Sequence, residues 1–207
     1  MDKKRVAVYI DGFNLYHSIN DLSINYLKWL NLWSLSEKLI RENEILVAVK
    51  YFTAYAKWRE TSYRRHQRYV AALEEVGVEP IIGRFKEKSV RCQAKCRQGF
   101  TTHEEKETDV NIGVHLMADA LQNNFDRALV ISADTDITAA VRLARDRSVG
   151  KLIDVIAPPG RMSRNREIGP LFEISKGKLK KSLLPSIIKR ENGLDIIRPR
   201  KYNPPEG

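Results

Sequence analysis

The stretch Val130-Ile131-Ser132-Ala133-Asp134-Thr135-Asp136-Ile137 joins an apolar run, Ala128 to Ile131, to a helical pattern set by Ile137, Ala140, Val141 and Ala144. Asp134 and Asp136 therefore stand at the carboxyl end of a strand, the edge on which open parallel α/β sheets bind their ligands. Asp is a poor strand residue, and capping of the following helix accounts for one of the two but hardly for both. A second apolar run, Val6 to Ile10, ends the same way in Asp11-Gly12-Phe13-Asn14-Leu15, with Gly12 allowing a tight turn and Asn14 in the first turn of the next helix. Asp109, at the start of a third helical pattern, adds a fourth carboxylate to the same edge. Two unit charges about 4 Å apart at an effective dielectric near ~20 repel by roughly 4 kcal/mol, so four such groups need protons or a cation between them. Hard oxygen donors with few His or Cys favour Mg²⁺ or Mn²⁺ over zinc. Such an ion activates water and stabilises an attacked phosphate, the chemistry of phosphodiester hydrolysis.

The elements that must position these residues are legible as alternation. Strand patterns at Val6 to Ile10, Ile45 to Ala54, Val78 to Phe85, Arg127 to Ser132 and Lys151 to Ile156 alternate with helical patterns at Leu32 to Glu42, Thr61 to Val76, Thr108 to Leu121 and Ile137 to Arg147. Such an order with short links predicts an α/β domain of three layers around a mostly parallel sheet of about five strands. The Thr108 helix is expected to face inward through Val110, Val114, Met117 and Leu121. Between Lys86 and Glu107 the pattern breaks into a long basic excursion holding both cysteines, an insertion at about 86–106 of the length that loops reach when they are functional or mobile. One domain over 1–185 and a basic, Pro-rich tail over 186–207 are expected.

With 30% charged and 43% hydrophobic residues in 207, the composition is that of a soluble globular protein. No apolar run approaches the roughly 18 residues of a membrane span and no secretory leader is legible, so the cytoplasm is the expected compartment. The net charge is +10 and the pI about 9.6. Twelve Lys/Arg against five Asp/Glu from Pro158 to Gly207 hold most of the excess. Carboxylates in one place and cations in another suit a polyanionic partner, nucleic acid, above a merely solvated basic tail.

Three segments, Tyr9-Ile10-Asp11-Gly12-Phe13-Asn14-Leu15, Glu105-Lys106-Glu107-Thr108-Asp109-Val110 and Ser132-Ala133-Asp134-Thr135-Asp136-Ile137, resemble in order and spacing the signatures of the NYN domain family of PIN-like nucleases. Leu183-Leu184-Pro185 and Ile197-Arg198-Pro199 resemble the ending of many bacterial members, and Ala133 replaces a common Gly. The resemblance runs over most of residues 5 to 185. It implies a Rossmann-like sheet and a divalent-metal ribonuclease site, with Asp11, Asp109, Asp134 and Asp136 as acidic ligands and Asn14 orienting Asp11 or touching substrate. Endoribonuclease action on RNA, by metal-activated water, is the expected function. Two alternatives stay open: a non-catalytic RNA-binding or regulatory module on the same fold, and a metal-dependent phosphatase or phosphotransferase acting through an Asp nucleophile. No well-placed Lys follows Asp134-x-Asp136 to support the latter.

Other residues carry competing readings. Arg161, Arg164 and Arg166, after Pro158-Pro159-Gly160, are expected to clamp a phosphate backbone. Arg64, Arg65 and Arg68, near Trp58 and Tyr63, suit a strip that grips phosphates and stacks bases, or else a solvated helix face. Cys92, Cys96 and His103 offer three ligands for a structural zinc, one short of the usual four, against the alternative of free thiols. Glu104, Glu105 and Glu107 are read as complementing the dipole of the helix they precede. His17 and His115 are read as packing residues. The oligomeric state is not legible.

Overall fold

The apolar runs become strands buried on both faces, as central parallel strands are. In the computed structural model, which describes residues 3–91, 98–191 and 193–205, the chain runs β1 (Lys4–Asp11), α1 (Gly12–Asp21), α2 (Leu32–Glu37), β2 (Glu44–Ala54), α3 (Glu60–Glu74), β3 (Glu79–Arg91), β4 (Gly99–Lys106), α4 (Thr108–Leu121), β5 (Arg127–Ile131), α5 (Thr138–Arg147), β6 (Leu152–Ala157), β7 (Phe172–Glu173), α6 (Lys176–Lys180), β8 (Ile187–Ile188) and β9 (Ile196–Ile197). Seven strands form one sheet in the order β4-β3-β2-β1-β5-β6-β7. Its neighbours are parallel except β3 and β4, which pair antiparallel. Successive β1 residues feed opposite layers. Val6, Val8 and Ile10 pack beneath α1, α2 and α3, whereas Ala7 and Tyr9 pack beneath α4 and α5. The three-layer α/β architecture expected from the sequence is the one observed.

Two of the seven strands were not expected. β7 is a short edge strand after the Pro-rich loop, too brief to leave a pattern. β4 comes from the excursion, whose first part continues β3 and whose second part returns beside it, pairing Glu87 with His103 and Lys88 with Thr102. Its side chains are mostly exposed on both faces, so no apolar period marks it. Backbone pairing alone defines it. Cys92 and Cys96 lie outside the described residues.

The inward face of α4 also differs from expectation. Ile112, Gly113, Leu116, Asp119 and Ala120 are buried, while Val110, Val114 and Leu121 are exposed. The helix is apolar nearly all round, so periodicity admits two stripes. Gly113 selects one, because a Cβ there would lie 2.9 Å from Ala140 of α5. The segment read as a tail is packed onto the domain: Ile188 and Ile196 enter the core under α3, and Arg190 pairs with Glu75, at the end of α3, at 2.8 Å. No helix among the described residues is long and apolar enough to cross a membrane.

Candidate functional site

The central strands β1 and β5 are neighbours in register, Ile10 beside Ile131, so the residues after them meet. Asp11 is almost wholly buried. Its Oδ1 accepts from the backbone N–H of Asn14 at 2.9 Å, capping α1, and its Oδ2 accepts from the Ser132 hydroxyl at 2.8 Å. Ser132 in turn accepts from the N–H of Asp134 at 3.0 Å, and Asn14 Oδ1 accepts from the N–H of Ala133 at 3.0 Å. Asp134 Oδ1 then accepts from the N–H of Asp136 at 3.1 Å, turning the chain toward α5. Asn165, buried in the loop after β6, donates to the carbonyl of Asp134 at 2.6 Å. Two strand ends are thus tied into one rigid shelf.

Gly12 makes that shelf possible, for a different reason than a turn. A Cβ there would come within 2.5 Å of the Phe52 carbonyl oxygen and 2.7 Å of the Tyr51 ring. Only a bare backbone lets α1 start this close to β2. Gly12→Ala is expected to cost about 1–3 kcal/mol, as overpacking does, and urea unfolding would measure it.

Asp11, Asp109 and Asp134 line one crevice of about 230 Å³, together with Glu105, Asn14, His17, Arg161 and Arg164. Burial pushes the Asp11 carboxyl up to about 6, against the opposing hydrogen bonds from Asn14 and Ser132. Asp109, half-buried in the first turn of α4, is pushed up to about 7 by desolvation and then by the charges of Asp11, Asp134, Glu105 and Asp136. Asp136 is exposed and acts on the crevice from its rim rather than its wall.

Among the described residues no three His, Cys, Asp or Glu side chains stand together closely enough, in their present rotamers, to hold a metal ion. The donor set nonetheless fits a hard divalent cation in charge and type. It is carboxylate-rich, two of its members are already held toward the protonated form, and the Asp11 oxygens keep further lone pairs after their two hydrogen bonds.

The other candidate residues divide. Arg161 reaches the crevice but is ion-paired with Asp21; Arg164 reaches it exposed, and Arg166 is exposed outside its lining. On α3, Arg64 pairs with Glu60 at 2.5 Å and Arg68 reaches the Ile197 carbonyl at 3.4 Å, so the three arginines form no single strip. Arg65 alone lines a larger cavity of about 540 Å³. His103 stacks on Trp58, ring centroids 3.6 Å apart, and faces Glu87 at 3.5 Å. Its place is four residue pairs along the hairpin from Arg91 and Gly99, roughly 13 Å at the strand rise. The described residues give the zinc reading no support.

Two residues of the crevice differ from the sequence reading. His17 is exposed and lines both cavities, so it is not a packing residue; His115 does pack, edge-on to Phe52 at 5.5 Å. Glu105 accepts from the N–H of Thr108 at 3.1 Å, as a helix cap would, yet it also lines both cavities. Glu107, by contrast, turns away to Arg84 at 2.6 Å. It adopts φ +80° at the joint between β4 and α4, a left-handed conformation uncommon for a residue with a side chain.

A family model described as NYN domain matches residues 5–166. This chain belongs to the NYN domain family. The family is generally nuclease-like, and nucleic acid is the partner such a domain implies. A curated relative from Pseudomonas putida, named 6-hydroxy-3-succinoylpyridine 3-monooxygenase, is 26% identical over 89% of this chain and 71% of its own length. A crystal structure of a protein of unknown function from Vibrio parahaemolyticus shares the NYN chain's fold, with a TM-score of 0.55 and 17% identity over 84% of this chain and 94% of that one.

Proposed function

We propose that this NYN protein is a ribonuclease that hydrolyses phosphodiester bonds in the acidic crevice with the help of Mg²⁺ or Mn²⁺. Asp11, Asp109 and Asp134 would hold the ion, with Asp136 at the rim. When bound, the ion would polarise a phosphate oxygen and make water nucleophilic near neutral pH. The chain itself supplies rigidity and charge. Ser132 and Asn14 tie Asp11 to the Asp134 turn, so that carboxylates from separate elements keep their relative positions. Arg164, unlike Arg161, is free of an ion pair among the described residues and offers its guanidinium to a phosphate flanking the crevice. The observation that carries this reading is the meeting of three carboxylates from β1, α4 and the end of β5, where burial and neighbouring charge already oppose the ionisation of Asp11 and Asp109. Cleavage of a labelled single-stranded RNA should require Mn²⁺ or Mg²⁺, stop with EDTA and disappear in Asp134→Asn. Binding without cleavage in any metal would favour a regulatory RNA-binding module instead.

A second reading follows the name of the Pseudomonas relative: monooxygenation of a small heteroaromatic acid, with an external two-electron donor. The large cavity beside the crevice, walled by aromatic rings, favours it. Oxygen uptake on adding a hydroxylated pyridine carboxylate and a reduced nicotinamide, insensitive to EDTA, would bring it forward.

A further inference from the structure

The crevice does not stand alone. Phe13, His17 and Glu105 line both it and the cavity of about 540 Å³, so the two share a wall. That volume is within the range of pockets that enclose whole small ligands. Its walls are aromatic. Phe85 stands edge-on to Phe13 at 5.6 Å and to Trp58 at 4.7 Å, and the wall residues Tyr63 and His66 each pack edge-on against Tyr55, at 5.4 Å and 5.0 Å. The shared wall thus continues as a row of rings from the crevice into the cavity.

Polar groups stand among these rings. His66 Nε2 lies 3.2 Å from the Thr53 hydroxyl, and burial holds the imidazole down to about 4, neutral at physiological pH. Among the described residues Arg65 Nε is buried with no hydrogen-bond partner, a state that is unfavourable until an acceptor arrives. Lys28, Arg59 and Arg65 all border the cavity, and among the described residues no carboxylate other than Glu105 lines it. Rings, a few polar atoms and cations together suit a planar heterocycle that carries an anionic group.

We infer that the aromatic cavity takes one unpaired nucleobase of the strand whose phosphate enters the acidic crevice. The inference rests on the nuclease reading. A base still in a duplex cannot leave its stack to enter the cavity without first being unpaired, so single strands are bound and cut in preference to duplexes. Stacking accepts any base, because each has a π-face. Base identity would then be read through polar groups of the wall such as Thr53, His66 and Arg65.

The test uses a short labelled single-stranded RNA and full-length protein, with Asp134→Asn keeping the strand uncut. An abasic residue is walked along the strand and affinity is read by anisotropy. One position should weaken binding by roughly 5- to 150-fold, the range for losing one stacked base. Ser62→Phe, which fills the cavity from α3 without removing a core side chain, should weaken the intact strand by a similar factor and erase the abasic penalty. Equal penalties at all positions, or no effect of Ser62→Phe, would overturn the cavity assignment while leaving metal-dependent cleavage by the wild type to stand. Failure to bind RNA at all, with tryptophan fluorescence quenched by pyridine-3-carboxylate, would overturn both readings and give the cavity to a free heteroaromatic acid.

Discussion

Asp109→Asn is expected to abolish cleavage while making the metal-free protein more stable at pH 8. Among the described residues Asp109 has no hydrogen bond that fixes its carboxylate, and it faces Asp11, Asp134, Glu105 and Asp136, each of which raises its proton affinity. Removing its charge relieves that repulsion, so the melting temperature without metal should rise. The same change removes an anionic oxygen donor from the cation and from the charge that develops during reaction. Losing one preorganised electrostatic contact of this kind costs about 10²–10³ in rate. Opposite signs on stability and activity are the mark of a site built at the expense of the fold. Asp11→Asn gives the control. Its amide must turn an N–H₂ toward either the Asn14 N–H or the Ser132 hydroxyl, which now donates to it. Activity should fall as far, but without the gain in stability. If Asp109→Asn melts no higher than wild type at pH 8, or retains cleavage, the repulsive pocket is misread.

How much of this was legible follows from where each residue's surroundings come from. Asp11 and Asp134 could be read from their own neighbours, because a buried parallel strand is a continuous apolar run and a carboxylate at its end breaks that run visibly. Asp109 was legible as a first-turn acid only beside the family signature. Glu105 sits in an acidic run: the strand alternation of β4 sends it, and not Glu104, toward the crevice, and the left-handed joint at Glu107 takes that residue off the same face. With no apolar period in that segment, the hairpin and therefore the facing were hidden. His17 was misread because α1 places Leu15 and Ile19 inward and His17 between them toward the crevice mouth. The aromatic cavity is assembled from residues as distant as Phe13, Trp58, Phe85 and Tyr202, a non-local juxtaposition that spacing cannot reveal. Gly12 had the right residue and the wrong cause: close approach to β2 instead of a turn.

Divalent cation is expected to raise the melting temperature strongly at pH 8 and little at pH 5. Asp11 and Asp109 titrate at about 6 and about 7 in the folded chain, above the ordinary value of 3.8. The folded protein therefore keeps these protons to higher pH than the unfolded chain does. Their contribution to stability is fully present below about pH 4 and is lost as pH rises through 6 and 7. Each tenfold difference in proton affinity is worth about 1.4 kcal/mol, so the buried Asp11 alone withdraws roughly 3 kcal/mol by pH 8. Half-exposed Asp109 withdraws less than its higher value suggests, since water screens it. A cation that binds only the folded, ionised crevice restores stability in proportion to the logarithm of its concentration over Kd. At pH 5 it must first displace both protons, and its effective affinity drops accordingly. Melting scans with Mg²⁺, Mn²⁺ and EDTA across this range should therefore diverge as pH rises, and adding metal near pH 6.5 in weak buffer should release acid. Equal metal effects at pH 5 and pH 8, or no acid release, would mean that the ion binds elsewhere than among Asp11, Asp109 and Asp134.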